Sequence, residues 1–324
     1  MCTAITFQAK DFYIGRTLDF EISYGEEIII TPRNYCFHFF EEGTVETHYA
    51  MIGIATIQND YPLYYEAVNE KGLGIIGLHF VGNATYFSKQ KNKKNITPFE
   101  LIPWLLGKCK SVQEVKKQLA QINLLNKPFQ KNIPLAELHW LVADRNCSIV
   151  IESRKDGLHV MDNPIGVLTN NPPFEQQLFA LNNYLHLSRK EPENHFDQKL
   201  PFVKYSRGMG ALGLPGDFSS QSRFIRASFI RSNSVCNLDE VESVNQFFHI
   251  LQSVDVVRGC CEIEKEKYAI TFYTSCCNTN RGIYYYTTYQ NHQIHAIDMH
   301  KENLYGKKLI RFPMIMEEQI QWQN

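Results

Sequence analysis

A cysteine at position 2, at the head of an alternating run, constrains this chain more than any other feature. Residues 3 to 8 and 12 to 20 alternate between apolar and polar side chains, with Lys10-Asp11 between them. Period-two alternation on both sides of a polar pair is the pattern of a β-hairpin. Its return strand carries Thr17 and Leu18 past Cys2, so Arg16 and Asp19 flank the thiol. A separation of three puts two residues of a regular strand on opposite faces. For both to converge on the sulfur, a bulge or kink is expected nearby.

The second position gives that cysteine a chemistry of its own. Aminopeptidase removes an initiator methionine when the next residue is small, and Cys2 then carries a free α-amino group beside its thiol. Such an amine titrates at about 7.7 to 8.0, close to where a general base should sit at neutral pH. A cation such as Arg16 favours both the thiolate and the neutral amine. Asp19 could orient the amine by hydrogen bonding. Nucleophile and base would share one residue.

Composition excludes several other classes. A formal net charge of −1 over 324 residues, with no basic tract interleaved with aromatics, gives no reason to expect nucleic acid as a partner. There is no signal-like N-terminus and no apolar run of membrane-spanning length, which fits a cytoplasmic protein without membrane insertion. The nine cysteines include the adjacent pairs Cys260-Cys261 and Cys276-Cys277 but lack zinc or redox spacing. They read as reduced, mostly buried thiols. The eleven histidines are scattered, so no metal site is expected.

No repeat, low-complexity block or linker divides the chain, so one domain over residues 1–324 is expected. Glu27 to Pro32 and Tyr49 to Ala55 read as buried strands. Asp60 to Ala67 reads as an aromatic loop, and Asn69-Glu70-Lys71-Gly72-Leu73-Gly74 as a turn before a strand from Leu73 to Phe80. Two Ser/Thr-x-x-Glu boxes, at Thr97 and Ser111, open helices over about 98–107 and 112–122. Strand patterns at Leu138–Asp144, Ser148–Glu152, Leu158–Met161 and Gly166–Thr169 suggest an antiparallel meander. Phe174 to Leu187 reads as helical and Ser188 to Ser222 as a long irregular stretch. Helices follow from Ser222 and over Val241–Val254, then strands at Tyr268–Ser275, Ile283–Tyr289 and Gln293–Met299. Strand-rich ends around central helices fit two stacked antiparallel sheets covered by helices.

Six motifs in order carry a resemblance: Met1-Cys2-Thr3, Gly15-Arg16 with Asp19, Asn69 to Gly74, Leu168-Thr169-Asn170-Asn171-Pro172, Leu214-Pro215-Gly216-Asp217 and Ser222-Arg223-Phe224. Together they resemble the choloylglycine hydrolase family, the bile salt hydrolases and penicillin V acylases among N-terminal nucleophile hydrolases. Ile96 to Trp104 and Tyr284-Tyr285-Tyr286 look most like bile salt hydrolases of gut lactic acid bacteria.

The resemblance implies an α+β fold, the four-layer αββα sandwich of two antiparallel sheets flanked by helices. It also implies loss of Met1, no cofactor and a homotetramer, for which the Ser188–Ser222 stretch is the expected contact. Cys2 matches the nucleophile, Arg16 and Arg223 the active-site arginines, Asp19 the carboxylate that holds the amine, and Asn170 the amide that stabilises the oxyanion. His79 departs from the pattern, standing where the family has Asn or Tyr in the oxyanion region. Either its backbone N–H or its side chain could serve there, or it could be a structural histidine. Leu18, Tyr24, Tyr65, Phe129, Ile133 and Leu138 match pocket positions and suit an apolar steroid, though such residues commonly belong to a core. The implied reaction is hydrolysis of glycine- or taurine-conjugated bile acids through a Cys2 thioester. Penicillin V or N-acyl homoserine lactone acylation on the same site, and a non-catalytic bile-salt-binding protein, are the alternatives.

Overall fold

The computed structural model describes residues 1–237 and 239–324. Two large sheets stack face to face. In the first, six strands run in the order Val167–Leu168, Cys2–Gln8, Phe12–Phe20, Ile270–Asn278, Ile283–Thr288, His295–Asp298. The second has eight, in the order Gly157–Asp162, Ser148–Arg154, Leu138–Ala143, Gly74–His79, Tyr61–Asn69, Met51–Gln58, Glu27–Thr31, Ile310–Pro313. Neighbours pair antiparallel throughout both sheets. Helices Ser220–Asn233 and Glu240–Gln252 cover the first sheet, and Leu101–Lys108 packs on the second. This is the αββα sandwich. No helix among the described residues is long and apolar enough to cross a membrane.

The second sheet is buried on both faces, which is why its strands read as nearly continuous apolar runs. Alternate residues go to separate cores. Ile28, Ile30, Leu141 and Ala143 pack between the sheets in the cluster that contains Cys2. Ile29, Trp140, Val142 and Ile151 pack outward against Trp104, Leu105 and Val115.

The opening hairpin pairs regularly from Cys2 opposite Leu18 to Gln8 opposite Phe12. Its first strand is internal to the sheet, flanked by Val167–Leu168 on the other side. Gly15 is required by the next strand: a Cβ there would lie 2.0 Å from the carbonyl oxygen of Ser275. Asn69 organises the turn that follows, its Oδ1 accepting from the backbone of Lys71 and Leu73 with Gly72 at a φ of 84°.

Several expectations need correction. Asp60 to Ala67 is no loop: Tyr61–Asn69 is a strand of the second sheet, entered through a tight turn with Asn59 and Asp60 at positive φ. Only three of the four strands after Leu138 form a meander, because Val167–Leu168 crosses to the first sheet and pairs with Ala4 and Ile5. And Phe174 to Leu187 is α-helical only to Ala180, followed by a short 3-10 turn over Leu181–Tyr184. Among the thiols, Cys2, Cys109, Cys276 and Cys277 are buried, four are half-buried and Cys260 is exposed, so fewer are fully enclosed than composition suggested.

Candidate active site

Cys2 is 2% exposed and opens the first strand. Strand alternation assigns its side chain to the face it shares with Leu18 and Arg16, toward the second sheet. Thr3 faces the opposite way, where its hydroxyl meets Arg223 from the covering helix at 2.6 Å. The thiol therefore sits between the sheets and its backbone is held from the helix side.

Arg223 does much of that holding. Its Nη1 donates to Cys2 O at 2.6 Å and its Nη2 to Asn170 Oδ1 at 2.9 Å. Burial pulls its guanidinium below the ordinary value, against the neighbouring Asp19 and Cys2. The helix that carries it begins on Ser219, whose hydroxyl accepts from the backbone of Ser222. Asp217 fixes the approach to that helix. Hydrogen bonds from Ser219 and Ser222 bring its carboxyl down to about 2.

Asn170 is locked on both ends of its amide. Oδ1 accepts from Cys2 N at 2.8 Å as well as from Arg223, and Nδ2 donates to His79 O at 2.9 Å. An amide nitrogen carries two hydrogens, so one N–H of Asn170 has no acceptor among the described residues. With Met1 in place, Cys2 N is a peptide N–H and not a base. The Met1 amine donates instead to the backbone oxygen of Asp19 at 2.5 Å, while Asp19 N donates back to Met1 O at 2.9 Å.

Arg16 and Asp19 do not converge on one face. Arg16 points between the sheets, where its Nη1 donates to Gly77 O at 2.6 Å and its Nε lies 3.5 Å from Glu66 Oε2. Burial alone would lower its pKa, but Cys2, Tyr273, Glu66 and Asp19 more than offset it and hold the guanidinium above its ordinary value. Asp19 is fully buried on the helix side, its Oδ1 accepting from Thr271 Oγ1 at 2.8 Å. Its Oδ2 has no hydrogen-bond partner among the described residues and lies 3.7 Å from Arg223 Nη1. The two groups thus straddle the strand that faces Cys2. An irregularity is present, but on the neighbouring strand: Thr271 opposes Asp19 and Tyr273 opposes Leu18, with Phe272 bulged between them.

Sequence reasoning missed Glu66. It is buried between the sheets and accepts from the hydroxyls of Tyr273, Ser275 and Tyr284 while facing Arg16. Assigning Asp60–Ala67 to a loop hid it. The available signal was a lone carboxylate inside an apolar and aromatic run, a pattern that demands a buried partner.

His79 ends the Gly74–His79 strand, with its ring 5.4 Å from Phe20. Burial, then the positive terminal amine, Arg16 and His139, lower its pKa to about 4. The imidazole is therefore neutral at physiological pH. Unfolding restores a value near 6.5, so the unfolded chain binds the extra proton as pH falls. Stability is full above about 6.5 and is lost toward pH 4. His79→Asn is expected to lose less melting temperature than the parent between pH 7 and pH 4.5, as read by thermal unfolding. An equal loss in both would contradict this.

The expected pocket positions divide. Leu18 lies opposite Cys2, and Tyr24, half-exposed, stands 5.5 Å from the Phe20 ring that also touches His79. Tyr65 packs against the same inter-sheet core and pairs its hydroxyl with Thr56 at 3.0 Å. Phe129 instead packs on Tyr61 and Phe99, and Leu138, though paired with His79, joins that same outer cluster. Ile133 lies in the Gln130–Ile133 turn, in neither core. No group of three or more His, Cys, Asp or Glu side chains is placed to hold a metal ion among the described residues.

Residues 2–312 match the model of the linear amide C–N hydrolases, choloylglycine hydrolase family. A bile salt hydrolase/transferase of Lactiplantibacillus plantarum is 54% identical over 98% of both chains. A mutant conjugated bile acid hydrolase from Clostridium perfringens superposes with a TM-score of 0.93 at 38% identity, over 100% of both chains. A penicillin V acylase from Agrobacterium tumefaciens shares the fold at a TM-score of 0.75 and 19% identity, covering 96% of this chain and 91% of its own.

Proposed function

Because the chain belongs to the choloylglycine hydrolase family of linear amide C–N hydrolases, we propose that it cleaves the amide bond of glycine- and taurine-conjugated bile acids through a thioester on Cys2. The observation that carries this reading is the placement of Cys2. It is a buried thiol whose own main-chain nitrogen and oxygen are gripped by Asn170 and Arg223.

Loss of Met1 turns the Cys2 amide into an amine. That amine takes the thiol proton, and the thiolate, beside Arg16, attacks the amide carbon of the substrate. Negative charge gathers on the carbonyl oxygen, where the spare N–H of Asn170 can stabilise it. The protonated amine, which the Asp19 carboxylate would hold, then gives its proton to the departing glycine or taurine nitrogen as the C–N bond breaks. Water attacks the thioester with the amine as base, the C–S bond breaks, and the free bile acid leaves. An amine in place of water would give acyl transfer, the second activity in the name of the Lactiplantibacillus plantarum relative.

Leu18, Tyr24, Tyr65 and the Phe20 ring would supply an apolar surface for the steroid, whereas Phe129 and Leu138 belong to the outer cluster and Ile133 to neither core. Turnover of glycocholate, taurocholate and penicillin V by the processed enzyme tests the reading: both conjugates should be hydrolysed well ahead of penicillin V. The reverse order would move the assignment to acylases. Phe179, Leu185, Phe196, Phe202, Val203 and Tyr205 are exposed on and before the irregular stretch, which supports a homotetramer assembled there. A monomer by light scattering would rule that out.

A further inference from the structure

The bulge at Phe272 does something a regular strand cannot. Thr271 and Tyr273 are two residues apart and would ordinarily face the same side of the sheet. Here Tyr273 reaches Glu66 between the sheets, while Thr271 reaches Asp19 on the helix side. Bulges re-aim side chains in this way and concentrate beside active sites.

Thr271 is also clamped to the segment that leaves helix Glu240–Gln252. Its backbone N–H donates to Val256 O at 3.1 Å, and Val256 N donates to Thr271 Oγ1 at 2.8 Å. A hydroxyl has one hydrogen to give. With the Val256 N–H occupying the oxygen from one side, that hydrogen is directed at Asp19 Oδ1. Oδ2 is then left toward Arg223 Nη1, the atom that also donates to Cys2 O. We propose that Thr271 is a positioning residue for the reaction: its Val256-anchored hydroxyl fixes the rotation of the Asp19 carboxylate so that Oδ2 receives the Cys2 ammonium.

The proposal rests on the reading that Asp19 serves that amine, and the test separates the two. Thr271→Val keeps the shape and the bulge but removes the hydroxyl, while Thr271→Ser keeps it. Glycocholate turnover is measured for these, for Asp19→Asn and for Thr271→Val/Asp19→Asn, each shown by intact mass to lack Met1. A hydrogen bond to a charged group typically corresponds to about 10- to 100-fold, so Thr271→Val should lower kcat by about that factor with KM little changed. Thr271→Ser should stay within about threefold of the parent. The double variant should be no slower than Asp19→Asn, because a residue acting through Asp19 has nothing left to act on. If Thr271→Val does not fold, Thr271→Ala is read in its place.

Full activity in Thr271→Val beside a crippled Asp19→Asn overturns the inference and spares the role of Asp19. So does a Thr271→Ser variant as slow as Thr271→Val, or losses that multiply in the double variant. An Asp19→Asn enzyme with parental kcat removes the role of Asp19 and this proposal with it.

Discussion

Cys2→Ala should abolish bile-salt hydrolysis, by at least about 10⁴-fold in kcat, the scale on which removal of a covalent nucleophile acts. Alanine is small enough for Met1 still to be removed, so the variant keeps the terminal amine and loses only the sulfur. Its hydrogen-bonded frame is main chain: Cys2 N to Asn170 and Cys2 O from Arg223. None of these contacts needs the side chain, so the protein should fold and bind substrate while failing to turn it over. Rapid-quench turnover followed by intact mass is the direct measurement. A bile-acyl adduct on the parent, absent from Cys2→Ala, is expected. Substantial hydrolysis by the alanine variant would mean that another group attacks the amide and that the site has been misassigned.

Retention of Met1 should be just as damaging, for a different reason. A glutamate inserted between Met1 and Cys2 blocks aminopeptidase and leaves Cys2 N as an amide, which has no basic lone pair. The thiol is then present but lacks its proton acceptor. Turnover should fall by a comparable factor with the circular dichroism spectrum unchanged, since the extended chain can continue the pairing already made by Met1 with Asp19. Releasing the extension with a protease that leaves Cys2 first should restore activity. If the blocked enzyme works as well as the processed one, the terminal nitrogen is not the base.

How much of this was legible in the sequence depended on whether a single strand or a pair of strands set the outcome. The opening hairpin could be read directly, because alternation and a polar turn specify it locally. The hairpin reading asked for a bulge so that Arg16 and Asp19 could converge, but they straddle the strand instead. The bulge at Phe272 was not legible, since Asn, Asp or Gly punctuation is absent around it and the extra residue exists only relative to the strand beside it. Pro62 disguised the Tyr61–Asn69 strand, yet it pairs with Ile57 close to the turn, where a missing N–H is easily accommodated. Asn59-Asp60 was the signal for that hairpin. Val167–Leu168 is two residues long, too short for periodicity to show that it would leave one sheet for the other. Cys2, Arg16 and Asp19 could be read from the opening hairpin, and Asn170, Arg223 and His79 from motif resemblance. Glu66 and Thr271 came from neither, because they act on Arg16 and Asp19 from strands distant in sequence.

The second sheet sets a whole layer of main chain between the cluster holding Cys2 and the one built on Trp104 and Trp140. Substitutions in groups that share no neighbours tend to act additively. Anyone hardening this enzyme against heat can therefore refill or rigidify the Trp104 layer, around Val112 and Val115, and expect the gain to leave turnover alone. The same search around Ile28 or Leu141 would be redesigning the floor beneath the reacting sulfur.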